Sequence, residues 1–168
     1  MSIFNKNTRK TTGFISFLAI FALILTISTQ SACSKSGACT LTADFAPDHN
    51  STQNSAMVAY CVAHNITYTT DPSGILYQII TPGAATHPNL CETISMTYTG
   101  TLLNGTQFDA STISYSLSQL IPGWQIAVPK IGKGGHMKVL IPSSLGYGAQ
   151  SMGSIPANSP LFFDIVLN

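Results

Sequence analysis

Few residues in this chain could do acid–base or metal chemistry, and their spacing does not assemble them. His49, His64, His87 and His136 show no metal-ligand spacing. No nucleophile elbow, zinc-protease helix or phosphate-binding loop occurs. Gly132-Lys133-Gly134-Gly135 lacks the Walker pattern and reads as a turn before a strand. Asp109 is not half of an obvious carboxylate pair, so hydrolysis by general acid–base catalysis is a poor fit. What remains is aromatic. The stretch from Ser118 to Val128 holds the only tryptophan, introduced by Ile121-Pro122-Gly123. Pro122 has φ set for a first helical turn and gives up an N–H that would lack an intrahelical partner there. Gly123 has no Cβ, so another segment can approach closely. Trp124 offers a large flat apolar surface with one N–H donor. Taken alone, it is most simply the core residue of a short helix.

Residues at ordered spacings elsewhere change that reading. Tyr98-Thr99-Gly100, Asn104-Gly105 and Phe108-Asp109 resemble the tyrosine-threonine-glycine, aspartate-glycine and phenylalanine-aspartate signature of the FKBP family of peptidyl-prolyl cis-trans isomerases. Leu120-Ile121-Pro122-Gly123-Trp124 is similar to the family's valine-isoleucine-x-glycine-tryptophan, and Gly146-Tyr147-Gly148 to its alanine-tyrosine-glycine. Ile155-Pro156, the ending Leu161-Phe162-Phe163-Asp164 and the strand between Gly74 and Gly83 follow in the family's order, so the resemblance spans residues 72 to 168.

The resemblance implies an apolar pocket with Trp124 as its floor. Tyr98, Phe108, Tyr115, Leu120, Ile121 and Phe163 would be its walls, with Ile155 also among the substrate-binding residues. Asp109 and Tyr147 would be polar groups at the rim. The implied catalytic set is Asp109, Tyr147, Trp124 and Ile121. Trp124 and Phe163 would grip the proline ring, while the Ile121 N–H and the Tyr147 hydroxyl would fix peptide carbonyls. Asp109 would orient its neighbours or meet the twisted carbonyl, and Asx-turn duty is compatible with either. The family often carries an aromatic where Ile113 falls. The implied partners are proline-containing unfolded or partly folded polypeptides and macrolide-type inhibitors, and no cofactor or metal is called for. The competing class is a binding module, a chaperone-like or adhesion domain with the cleft but little turnover.

The elements that must position these residues are legible in pattern. Thr52 to Asn65 is partly helical, with Asn50 or Ser51 as N-cap and Asn65 as a left-handed stop. Such a helix is marginal alone and must pack on the following domain or on a second copy. Asp71-Pro72-Ser73-Gly74 is a turn, followed by a strand over Ile75 to Ile80. Thr93 to Leu103 is a strand that stops at Asn104-Gly105, a strong hairpin signal. Its return arm carries Gln107-Phe108-Asp109, and a further short strand covers Ile113 to Leu117. After the helix at Pro122 to Val128, strands over His136 to Ile141 and Leu161 to Leu167 flank a Gly-, Ser- and Pro-rich loop, residues 142 to 160. Many strands and one short helix predict an α+β domain, a curved antiparallel sheet wrapped over that helix and preceded by a helical extension.

Composition sets the context. Hydrophobic residues make up 45% of the 168, but charged residues only 8%, against the usual ~25%. Ser, Thr, Asn and Gln must therefore carry the surface. Beyond residue 32, four lysines face six carboxylates, a net of −2, which leaves no basic stripe for nucleic acid. Lys6, Arg9 and Lys10 precede the apolar run Phe14 to Ile27, which has the length of an export signal and is short for a membrane span of about 20 residues. Ser31-Ala32-Cys33 resembles the bacterial lipobox, with Gln30 a departure from it, and implies a lipid on Cys33. Cleavage near Ala32 without a lipid is the alternative. The expected organisation is a signal peptide at 1–32, a flexible linker at 33–50, a helical extension at 51–71 and the isomerase-like domain at 72–168. That places the protein in the cell envelope, periplasm or outer membrane, with membrane attachment through Cys33. Cys39, Cys61 and Cys91 then allow at most one disulfide, which export permits and spacing does not assign.

Overall fold

A computed structural model describes residues 50–168. The expected export signal, the Cys33 lipid site and the linker up to residue 49 lie outside the described residues. Among the described residues no helix is long and apolar enough to cross a membrane.

Helix α1 spans Ser51–Ala63, and both expected end signals operate. The Asn50 side chain accepts a hydrogen bond from the Gln53 N–H at 3.1 Å, satisfying a donor that has no intrahelical partner. Asn65 adopts φ 54°, and the Ile66 and Asn65 N–H groups return to the Cys61 and Val62 carbonyls, a Schellman closure. His64 caps the helix and stacks its ring on Tyr60, with centroids 4.1 Å apart.

Six strands follow: β1 Thr69–Thr70, β2 Leu76–Thr81, β3 Thr93–Leu102, β4 Gln107–Ser116, β5 His136–Ile141 and β6 Leu161–Leu167. They form one curved antiparallel sheet in the order β1-β2-β5-β6-β3-β4. The short helix α2, Pro122–Ala127, packs against one face, as the residue pattern predicts. Because side chains alternate along a strand, β5 and β6 each serve two cores. Val139, Phe163 and Ile165 join Trp124 on the α2 side. Leu140 and Phe162 face the other way and, with Leu76, receive Met57 and Cys61 of α1. Burying this face supplies the tertiary packing that a helix of 13 residues needs in order to form.

Two features depart from the sequence reading. The return arm after Asn104-Gly105 is one ten-residue strand, not two short ones, and its register with β3 runs unbroken from Thr93↔Ser116 to Gly100↔Asp109. Ala110-Ser111-Thr112 carries no apolar alternation because β4 is an edge strand with these side chains in solvent; ladder hydrogen bonds hold it instead. The other is β1, a two-residue arm that the Asp71–Gly74 turn folds back on β2.

Asp71 also ties this turn to the segment following α2. It accepts from Lys130 Nζ at 2.7 Å, and the ammonium lies 4.9 Å from the centre of the Tyr77 ring. Burial would raise the Asp71 carboxyl, but hydrogen bonds from Lys130 and Ser73 outweigh it and hold the group below its ordinary range. Cys91 is disulfide-bonded, whereas Cys61 is a free thiol on the buried face of α1, so the two are not paired with each other.

Candidate active site

The β3–β6 register sets the site. Gly100 lies opposite Phe163 on one side and Asp109 on the other, so the glycine sits between an aromatic and a carboxylate. A Cβ at Gly100 would fall 2.6 Å from Phe108 and 2.8 Å from Phe163. Its absence lets these rings meet edge to face across the strand, with centroids 5.6 Å apart. A register shift between Gly100 and Thr101 leaves Phe108 as an extra residue in β4. Such a bulge re-aims side chains, so consecutive Phe108 and Asp109 both border the same cavity. We expect Gly100→Ala to cost roughly 1–3 kcal/mol of stability, as overpacking does. Denaturant titration would check it, and an unchanged midpoint would contradict this packing.

Trp124 is carried into the centre by α2. Pro122 opens that helix, and a Cβ on Gly123 would lie 2.4 Å from Ile141, so the helix can approach β5 only because residue 123 is glycine. The indole meets the Tyr98 ring at 4.7 Å and the Phe163 ring at 4.9 Å, both edge to face. Trp124 is thus both core and floor, since its buried ring also lines a cavity of about 270 Å³. Its indole N–H meets no acceptor among the described residues.

The wall leading into α2 is held by a residue that motif matching missed. Gln125 is buried, and its amide donates to the carbonyls of Leu120 at 2.7 Å and Ser118 at 3.2 Å. This pins the loop that sets Leu120 and Ile121 against the cavity. The Ile121 carbonyl accepts from the Trp124 and Gln125 N–H groups, while its own N–H meets no backbone acceptor among the described residues.

At the rim, the Tyr98 hydroxyl donates a hydrogen bond to Asp109 Oδ2. Burial raises the Tyr98 phenol well above its ordinary value, and the hydrogen bond to Asp109 and its charge raise it further. The Tyr147 phenol is raised too, first by burial and then by the charge of Asp109. Both hydroxyls therefore remain protonated donors through and beyond neutral pH.

The structure brings Tyr98, Phe108, Asp109, Tyr115, Leu120, Ile121, Trp124, Tyr147 and Phe163 around this one cavity. Tyr115 stands at the mouth, 54% exposed. Ile155 is the exception. It is buried in the main core and closes a bridge with Met152, so it supports the loop from beneath and does not line the cavity. Ile113 and Gln119 complete the lining. Gln119 was invisible to sequence reasoning because a glutamine in a 3₁₀ turn carries no periodicity. Among the described residues no cluster of His, Cys, Asp or Glu could hold a metal ion.

The model for FKBP-type peptidyl-prolyl cis-trans isomerases matches residues 84–168, just over half of the chain. An FKBP-type peptidyl-prolyl cis-trans isomerase FkpA from Aeromonas hydrophila is 40% identical over 100 residues, covering 56% of this chain and 37% of the relative. An outer membrane protein MIP from Legionella longbeachae is 38% identical over 102 residues, covering 57% of this chain and 44% of the relative. The crystal structure of FkpA from Escherichia coli superimposes with a TM-score of 0.62 at 31% identity, covering 70% of this chain and 58% of that one. The chain thus spans well under two thirds of the length of these relatives.

Proposed function

The chain belongs to the FKBP-type peptidyl-prolyl cis-trans isomerase family, and from that membership we propose that it accelerates cis-trans isomerisation of X–Pro bonds in exported or envelope polypeptides. The observation that carries this reading is the convergence of three mutually packed rings, Tyr98, Trp124 and Phe163, with two polar groups, Asp109 and Tyr147, on one cavity.

Rotation about X–Pro must break amide resonance, at a barrier of ~18–20 kcal/mol for peptide bonds. The twisted transition state has lost that resonance, so its carbonyl is less polar than in the planar amide. A cavity floored by Trp124 and walled by Phe108 and Phe163 tolerates the twisted form better than the planar one, which is differential binding of the transition state. Trp124 and Phe163 grip the proline ring. The Ile121 N–H and the Tyr147 hydroxyl hold flanking carbonyls. Asp109, fixed through the Tyr98 hydroxyl, orients this group or meets the twisted carbonyl. No step needs a covalent intermediate.

The substrates are proline-containing unfolded or partly folded polypeptides, and macrolide-type inhibitors would compete for the same cavity. The export signal and Cys33 supply the location: cell envelope, with an acyl chain on Cys33 as anchor. In support, one relative bears the name of an outer membrane protein. A protein whose refolding is limited by X–Pro isomerisation tests the activity, since that phase lasts tens to hundreds of seconds uncatalysed. Its rate should rise in proportion to added protein; a slow phase that does not respond would refute the reading. Labelled fatty acid should appear on the wild type and vanish in Cys33→Ser, and label that persists would remove the anchor.

A further inference from the structure

We propose that Gln53, in the helical extension, is a positioning residue for Tyr147, which makes α1 part of the catalytic unit. This rests on the role given to Tyr147 above. The Gln53 amide grips Ser143 at two points: Oε1 accepts from the Ser143 N–H at 2.9 Å, and Nε2 donates to Ser143 Oγ at 2.8 Å. A longer bond from the same Nε2 reaches the Asn158 carbonyl at 3.4 Å. Ser143 is 5% exposed, so without Gln53 its N–H would be a buried donor with no partner.

Ser143 is in turn the hub of the Tyr147 turn. Its carbonyl accepts from the Gly146 N–H at 3.0 Å and the Gly148 N–H at 2.7 Å, the two residues flanking Tyr147. Asn158 closes the other side, donating its N–H to the Gly148 carbonyl at 2.8 Å. Gln53 thus touches both anchors of the backbone that carries the phenol. The loop has little stiffness of its own: Gly148, Gly153 and Asn158 all take positive φ, and glycine leaves the backbone many alternatives. The other end of the clamp is firm, since α1 is capped at Asn50 through the Gln53 N–H and docked by Met57 and Cys61. A contact 90 residues distant in sequence therefore sets where the hydroxyl stands.

The test is a double-mutant cycle in the full chain, read by turnover and by amide exchange. Gln53→Ala should lower kcat/KM about tenfold when Tyr147 is present and by less than about twofold in a Tyr147→Phe background, because interacting residues are non-additive. Most of the loss should fall in kcat. Exchange at the Gly146 and Gly148 amides should quicken. Gln53→Glu still accepts from the Ser143 N–H, and the Ser143 hydroxyl can donate to its carboxylate, so this variant should recover protection and most of the turnover. Should Gln53→Ala fail to fold, Gln53→Met keeps the side-chain volume without the amide and carries the same comparison. Equal losses in both backgrounds, or unchanged exchange at Gly146 and Gly148, would overturn the proposal. If Tyr147→Phe itself leaves turnover intact, the catalytic reading of Tyr147 falls, and the exchange rates alone decide whether Gln53 holds the turn.

Discussion

Trp124→Ala is expected to lower stability by about 3–5 kcal/mol, the cost of truncating a buried aromatic, and to abolish most turnover. The two effects share one cause. The indole is 5% exposed and packs against Tyr98 and Phe163 edge to face while its surface floors the cavity. Removing it leaves a void that both rings can collapse into, so the walls shift as the floor goes. Trp124→Phe should cost less, because it keeps an aromatic ring on the cavity floor and gives up the smaller, N–H-bearing part of the indole, whose N–H meets no acceptor among the described residues. Denaturant unfolding and isomerase turnover on both variants would check this. A Trp124→Ala chain with unchanged midpoint and unchanged turnover would place the residue outside both core and pocket.

Asp109→Leu and Tyr147→Phe are each expected to lower kcat/KM by about 1–3 kcal/mol, the scale of hydrogen bonds at desolvated sites. Affinity for a non-isomerisable proline peptide should stay near wild type, because Trp124, Phe108 and Phe163 still hold the ring. The variants differ in one respect. Asp109→Leu also removes the acceptor of the Tyr98 hydroxyl, leaving a largely buried phenol without its partner, so it should cost some stability as well. Tyr147 lies half-buried at the rim, and its replacement by Phe should leave the fold intact. Turnover and peptide affinity measured side by side would separate the readings. Equal loss of both would favour a cleft that only binds.

The elements read most clearly in the sequence are those governed by local rules. Asn50, Asn65 and the Asn104-Gly105 hairpin act where cap and turn chemistry put them. Pro122 opens α2 and Gly123 admits Ile141, as their backbone properties imply. Most of the cavity was also legible, but through ordered motifs and not through any one residue type. What stayed hidden depends on distant partners. The edge strand β4 has no apolar alternation to reveal it, because pairing with β3 holds it together. Ile155 stands in a motif with pocket residues yet turns into the core, since its bridge to Met152 fixes its direction. Gln53, Gln119 and Gln125 were silent for a related reason. A glutamine carries no periodic signal, and its importance depends on which carbonyl or amide the fold brings within 3 Å or so.

The central claim is that this cavity lowers the barrier to rotation about X–Pro, and NMR exchange spectroscopy on a short proline peptide measures that barrier at equilibrium. Added in catalytic amount, the purified chain should speed cis-to-trans and trans-to-cis exchange by the same factor, in proportion to its concentration, leaving the populations unchanged. Peptide resonances that shift on binding while exchange stays at the uncatalysed rate would contradict the account.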